Sequence, residues 1–402
     1  MCKIKNAIIE INLPSSKSIS NRVLILNALC NNKLSVKNLS TADDTKILQT
    51  ALCSDEKICN LEGSGTAFRF FTAFAAATTR VERIVTGNER MLQRPVNHLV
   101  AALNHLGARV EFLGKTGLPP LKITPAAMRG GDVEIDASVS SQFISALMLI
   151  AAVLPHGLRM RLTGEIVSKP YIEMTRKLLG EFSILCDEKG DLIEIAPQKI
   201  VPAAYEIEND WTGASYWYEF LAVAGTGAIF LPNLQCDSIQ GDKIVAEIFA
   251  KLGVKTEFST AGITISASSQ NVDFFEFNFI NNPDLVQTVV VTCCLKKIPF
   301  RFTGIKNLRI KETDRVAALI AECRKIGCVL EFAERENTLS WNRQNIDIEQ
   351  NIKISPHADH RMAMAFAPAA LKFSLEIENQ EVVTKSYPNF WKDMKNFLTF
   401  GF

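Results

Sequence analysis

Six stretches of this chain open on polar residues and then run apolar on almost every side. They are SKSISNRVLILNAL from Ser16, SGTAFRFFTAFAAA from Ser64, SSQFISALMLIAAV from Ser140, GASYWYEFLAVAG from Gly213, PDLVQTVVVTCCL from Pro283 and HRMAMAFAPAAL from His360. A helix apolar all round cannot lie on a surface and must be buried by other elements. The fold therefore has to enclose six helices. A second series runs between them, in which a helix end meets Leu-Gly or Ile-Gly and then a strand: ALNHLGARVEF, TRKLLGEFSIL, IFAKLGVKTEF and ECRKIGCVLEF. Its glycines, Gly107, Gly180, Gly253 and Gly327, are 73, 73 and 74 residues apart. Glycine suits the left-handed residue just past a helix, and the alternating run that follows suits a strand. The period is too long for a solenoid, so six related α/β units in two groups of three is the expected packing, each group holding three central helices wrapped by short sheets.

The remaining composition narrows the function classes. The 402 residues suffice for two or three domains, and 47% hydrophobic with 22% charged residues describes an ordinary globular chain. A net charge of +1 gives no global field for nucleic acid or a membrane surface. The longest apolar stretch, near FISALMLIAAVLP, is too short to span a bilayer, and MCKIKNAIIEINLP reads as a strand rather than a signal peptide. Ten cysteines occur without CxxC spacing, which points to free thiols in a cytoplasmic protein. If the six polar openings face one cleft, their free N–H groups and dipoles draw anions there without a basic surface.

Charged residues stand at or beside these openings. LPSSKSISNR carries Lys17, Ser18 and Arg22 with no carboxylate nearby in sequence. TGNERMLQRP carries Arg90 and Arg94, and NLRIKETDR carries Asn307, Arg309, Lys311 and Arg315. HADHRMAMA carries His360 and Arg361, and TKSYP carries Lys385. VSSQF adds Ser140, Ser141 and Gln142, and VSKPY adds Ser168, Lys169 and Tyr171. Arginine suits bidentate carboxylate or phosphate contacts and lysine acts as a point charge. Any one of them alone reads first as a surface charge or a helix cap, and only the collective pattern weighs against that. Asp284 in NNPDLVQT reads as a helix N-cap or as a general base, and Glu312 in RIKETDR as a first-turn ion pair or as a proton donor and acceptor. There is no GxxxxGK[ST], HExxH or GxSxG, GSGTAF is only part of a dinucleotide fingerprint, and His357 and His360 lack the spacing of a metal pair.

Taken together, SKSISNR, GSGTAFR, TGNERMLQRP, SSQF, VSKPYI, NNPDLVQT, NLRIKETDR, DHRMAMA and TKSYPNFW resemble the 5-enolpyruvylshikimate-3-phosphate synthase family, in family order from residue 16 to residue 391. The resemblance implies an α/β enolpyruvyl transferase fold: two similar domains, each of three βαβαββ units with buried central helices. It places the first domain at 15–208 and the second, discontinuous, at 1–14 and 209–402. The implied reaction moves the enolpyruvyl group of phosphoenolpyruvate to the 5-hydroxyl of shikimate 3-phosphate. No metal or organic cofactor is implied, the partners are those two small molecules, and the family expectation is a cytoplasmic monomer. By the same resemblance Lys17, Ser18, Arg22, Ser140, Ser141, Gln142, Ser168, Tyr171, Asp284, Asn307 and Lys311 are expected on shikimate 3-phosphate. Lys17, Gly65, Arg90, Gln142, Arg315, Arg361 and Lys385 are expected on phosphoenolpyruvate. Asp284 is the implied base, Glu312 the group that exchanges a proton with the methylene carbon, and Lys17 the third catalytic residue. Asp210 matches a residue near the interdomain crossing. One departure stands out: Gly63 occupies a position where the family usually has Asn, with Glu62 before it. Gly65 is retained, so inhibition by glyphosate is expected. The related transferase acting on UDP-N-acetylglucosamine and a non-catalytic anion-binding protein are the alternatives, the first disfavoured by the lack of a cysteine in a Gly/Pro-rich basic loop.

Overall fold

The computed structural model describes residues 8–348 and 351–399. The chain divides into two compact units. The first is Ser16–Ile207, and the second joins the N-terminal segment up to Ser15 with the stretch from Glu208 onward. Each buries three of the six apolar helices. In the first unit these are Lys17–Leu29, Gly65–Thr78 and Ser141–Ala151, mutually packed. In the second they are Trp211–Ala224, Val286–Lys296 and His360–Phe366, again packed on one another. Ser16, Ser64, Ser140, Asp210 and Asp359 each accept a backbone N–H of the helix they precede, so polar openings and apolar bodies serve one design.

The sheets repeat one topology. In Ile58–Asn60, Arg83–Thr86, Arg109–Phe112 and Leu121–Thr124 the first two strands pair in parallel across the Gly65 helix. The last two form an antiparallel hairpin, and its second strand joins the pair. The sheets built on Gly131–Asp136, on Ile8–Glu10 with Ala228–Pro232, and on Phe275–Asn278 follow the same plan. Ile8–Glu10 thus reaches the second unit from the far end of the chain, and a short bridge between Ser15 and Asn209 marks where the chain crosses. The third unit of each group is shortened. Among the described residues it holds only a parallel pair, Ser35–Lys37 with Ala204–Glu206 and Ile352–Ile354 with Leu375–Ile377.

Three of the four repeating glycines turn the chain as expected, with φ of 99° at Gly107, 94° at Gly253 and 89° at Gly327. Gly180 does not. The helix Lys169–Glu181 runs through it, and Ser183 takes the left-handed turn at φ 60°. The later stop buries both Phe182 and Ile184, at 0% and 1% exposure.

Candidate active site

In the first unit the N-terminal halves of the three central helices meet. Arg22 is 1% exposed and donates to four neutral acceptors: the Thr175 hydroxyl at 2.7 Å, the Ser18 carbonyl at 2.7 Å, the Ser145 hydroxyl at 3.2 Å and the Tyr171 carbonyl at 3.1 Å. Its plane also lies over Phe70 and Tyr171. Burial pulls its guanidinium down to about 10, with the Tyr171 phenol opposing, so it stays charged at neutral pH. Gly65 begins its helix where a side chain would have to displace two arginine tips. A Cβ there would stand 2.5 Å from Nη1 of Arg69 and 2.6 Å from Nη1 of Arg94. Both arginines are buried, at 4% and 5% exposure, so two guanidinium groups flank a helix N-terminus. Arg69 Nη1 donates to the Gly65 carbonyl at 2.8 Å and to Gln142 Oε1 at 3.0 Å, and Gln142 Nε2 donates to Thr66 at 3.0 Å. Gln142 thus has its amide oxygen on Arg69 and its amide nitrogen on Thr66. Ser140 caps and Ser141 starts the third helix, Ser168 turns left-handed (φ 55°) before the helix carrying Tyr171, and Arg90 opens the short turn Met91–Gln93. Lys17 does have a carboxylate partner, which its flanking sequence does not show: Asp44 Oδ2 accepts from its Nζ at 2.9 Å.

In the second unit one arginine organises the carboxylates. Arg315 is 1% exposed and starts the helix Arg315–Lys325. Its Nε donates to Asp359 Oδ2 at 2.7 Å, Nη1 to Asp284 Oδ1 at 3.0 Å and Nη2 to Glu312 Oε2 at 3.0 Å. Arg361 Nη2 holds the other Asp284 oxygen at 2.7 Å, and Lys385 Nζ lies 3.7 Å from Glu312 Oε1. Asp284 is not the cap of the apolar helix that follows; it sits in the short turn Pro283–Leu285, where Arg315 and Arg361 engage its side chain. Burial alone would raise its carboxyl, but Arg361, Lys311 and Arg315 together hold it well below the usual carboxylate range, with Glu312 opposing. Asn307 is buried in the turn Lys306–Ile310, its side-chain oxygen lacking a hydrogen-bond partner among the described residues. Asp210 caps the Trp211 helix through N–H bonds of 2.8 and 3.1 Å from Thr212 and Gly213.

Against known proteins, the family model described as EPSP synthase (3-phosphoshikimate 1-carboxyvinyltransferase) matches residues 48–394. The chain belongs to the EPSP synthase family. A 3-phosphoshikimate 1-carboxyvinyltransferase of Bacteroides fragilis is 43% identical over 96% of this chain and 94% of its own length. One from Idiomarina loihiensis is 34% identical over 95% of each. A solved EPSP synthase from Acinetobacter baumannii superposes with a TM-score of 0.74 over 97% of this chain and 96% of its own, and at 18% identity speaks for the fold alone.

Three residues of the candidate site escape a reading by motif: Asp44, Arg69 and Asp359. Arg69 and Asp359 carry the same signal as the residues singled out, a charge within a turn of a polar helix opening, and could have been found by it. Asp44 is the exception, since only the tertiary fold brings it to Lys17 from 27 residues away. Among the described residues no helix is long and apolar enough to cross a membrane.

Proposed function

We propose that the chain transfers the enolpyruvyl group of phosphoenolpyruvate to the 5-hydroxyl of shikimate 3-phosphate, releasing phosphate, and that its two units are the two enolpyruvyl transferase domains. In this reading Lys17, Ser18, Arg22, Ser140, Ser141, Gln142, Ser168 and Tyr171 of the first unit bind shikimate 3-phosphate, with Asp284, Asn307 and Lys311 of the second. Lys17, Gly65, Arg90 and Gln142, with Arg315, Arg361 and Lys385, hold phosphoenolpyruvate. The proposal extends to a cytoplasmic monomer, as the resemblance implies.

The observation that carries this reading is the carboxylate cluster around Arg315. Both substrates are polyanions, and cations that bind them must be neutralised by something when empty. Asp284, Glu312 and Asp359 do that here, facing Arg315 and, through Asp284 and Glu312, Arg361 and Lys385. As found, Asp284 is a poor base because two arginines grip it. A phosphate or carboxylate that claims Arg315 and Arg361 releases Asp284, and its proton affinity rises when the acceptor hydroxyl is also present. The hydroxyl proton passes to Asp284 as its oxygen attacks C2 of phosphoenolpyruvate, while Glu312, which takes up a proton from water once the substrate claims its cations, protonates the methylene carbon. The tetrahedral adduct then expels phosphate, which carries away the proton held by Asp284, and a methyl proton returns to Glu312 to restore the enol ether. Arginines and the helix N-terminus at Gly65 offset the negative charge throughout.

The test is phosphate release from phosphoenolpyruvate with shikimate 3-phosphate or UDP-N-acetylglucosamine as acceptor. Release with the first alone supports the proposal. Release with the second alone overturns it.

A further inference from the structure

Glu322 has no part in the proposed chemistry, yet its side chain is 2% exposed and gathers three donors. Oε2 accepts from the Ser355 backbone N–H at 3.0 Å and from Lys325 Nζ at 2.8 Å, and Oε1 lies 2.8 Å from His357 Nε2. Lys325 Nζ also donates to the Lys353 carbonyl at 2.7 Å, tying the same helix to the strand before the loop. The loop that follows is strained. His357 and Ala358 are consecutive non-glycine residues in the left-handed region, at φ 50° and 57°. Each costs of order 1 kcal/mol and persists only where its surroundings enforce it. Next comes Asp359, which caps the His360 helix and grips Arg315, and then Arg361.

The geometry of the Arg315 helix explains how the loop is enforced. Arg315 and Glu322 are seven residues apart, two turns along one face. Arg315 holds the end of the loop through Asp359, and Glu322 holds its start through Ser355 and His357. One rigid helix face thus clasps both ends of a five-residue segment. We propose that Glu322 is a positioning residue: its grip on Ser355 and His357 keeps the loop in its left-handed path, and so sets where Asp359 holds Arg315 and where Arg361 presents its charge to phosphoenolpyruvate. This rests on the placement of Arg361 in the phosphoenolpyruvate site proposed above.

The experiment compares parent, Glu322→Gln and Glu322→Gln with Ala358→Gly, by steady-state kinetics and by hydrogen exchange at the Ser355 amide. The glutamine keeps the shape and avoids an empty buried site. Ala358 is exposed, so glycine there removes little packing while needing no support to stay left-handed. Glu322→Gln is expected to raise KM for phosphoenolpyruvate about 10-fold, leave KM for shikimate 3-phosphate within about twofold, and speed Ser355 exchange. Adding Ala358→Gly is expected to recover most of the KM. A lower Tm with both KM values unchanged, or with both raised equally, would mean a merely structural ion pair and overturn the proposal. Should the parent release no phosphate, the functional reading falls, while parent-like Ser355 exchange in Glu322→Gln still overturns the anchor by itself.

Discussion

Replacing Arg315 by Met removes the one guanidinium shared by three carboxylates. Asp359 suffers most: its side chain is 0% exposed, and the 2.7 Å bond from Arg315 Nε is its strongest side-chain contact. Asp284 keeps Arg361 and Glu312 keeps Lys385, so they lose less. Breaking one buried ion pair costs about 3–5 kcal/mol, and coupling within the cluster keeps the total from being three times that. The sign of the pH dependence is the sharper part. In the parent, the Asp284 carboxyl lies below its unfolded value, so its contribution is fully present above the unfolded pKa and is lost as pH falls. Arg315→Met takes away one of the cations that hold the Asp284 carboxyl low, so the variant has less of this acid-labile contribution to lose. Urea unfolding of both proteins should show a deficit of about 3–5 kcal/mol from pH 8 to pH 5 that shrinks only as pH falls below the unfolded carboxylate value of about 4. A deficit that does not shrink there, or one below about 1 kcal/mol at pH 8, would refute the view that Arg315 neutralises a buried acidic cluster.

Gly65→Ala should push the tips of Arg69 and Arg94 aside, since its Cβ would stand 2.5 and 2.6 Å from them. KM for phosphoenolpyruvate should rise about 10-fold and glyphosate inhibition should weaken, with unchanged inhibition counting against the placement of Gly65. Asp242 is held by Thr212 and Asn282, and burial followed by the Asp284 charge raises its carboxyl from 3.8 to about 6. The folded state therefore holds the extra proton between those values, and stability falls by about 3 kcal/mol as pH rises through that window. Asp242→Asn should remove that fall and be the more stable protein at pH 8 in urea melts; a pH slope equal to the parent's would contradict the assignment.

Much of this architecture is legible because buried helices and the turns that end them leave local marks. Apolar residues on every side announce Val286–Lys296 as surely as any packing analysis, and Gly107, Gly253 and Gly327 announce the turns after their helices. Gly180 misleads because local preference yields to the burial of Phe182 and Ile184. The shortened sheets of the third units leave no mark, because strand number depends on pairing between distant segments. The same limit applies to the site. Positive charges near helix openings are readable one by one, but which acid neutralises which base is settled by the fold. Lys17 finds Asp44, Arg315 finds Asp284 from 31 residues away, and Glu322 finds Ser355 from 33.

The central claim is that Asp284 exchanges its arginine partners for the acceptor's proton during enolpyruvyl transfer. The direct measurement is the single-turnover rate of phosphate release by parent and Asp284→Asn, with both substrates present and with each omitted in turn. The account predicts release only when both are present, and a rate at least about 100-fold lower in the variant, which keeps the shape but cannot accept the proton. Release without shikimate 3-phosphate, or parent-like turnover by Asp284→Asn, would contradict it.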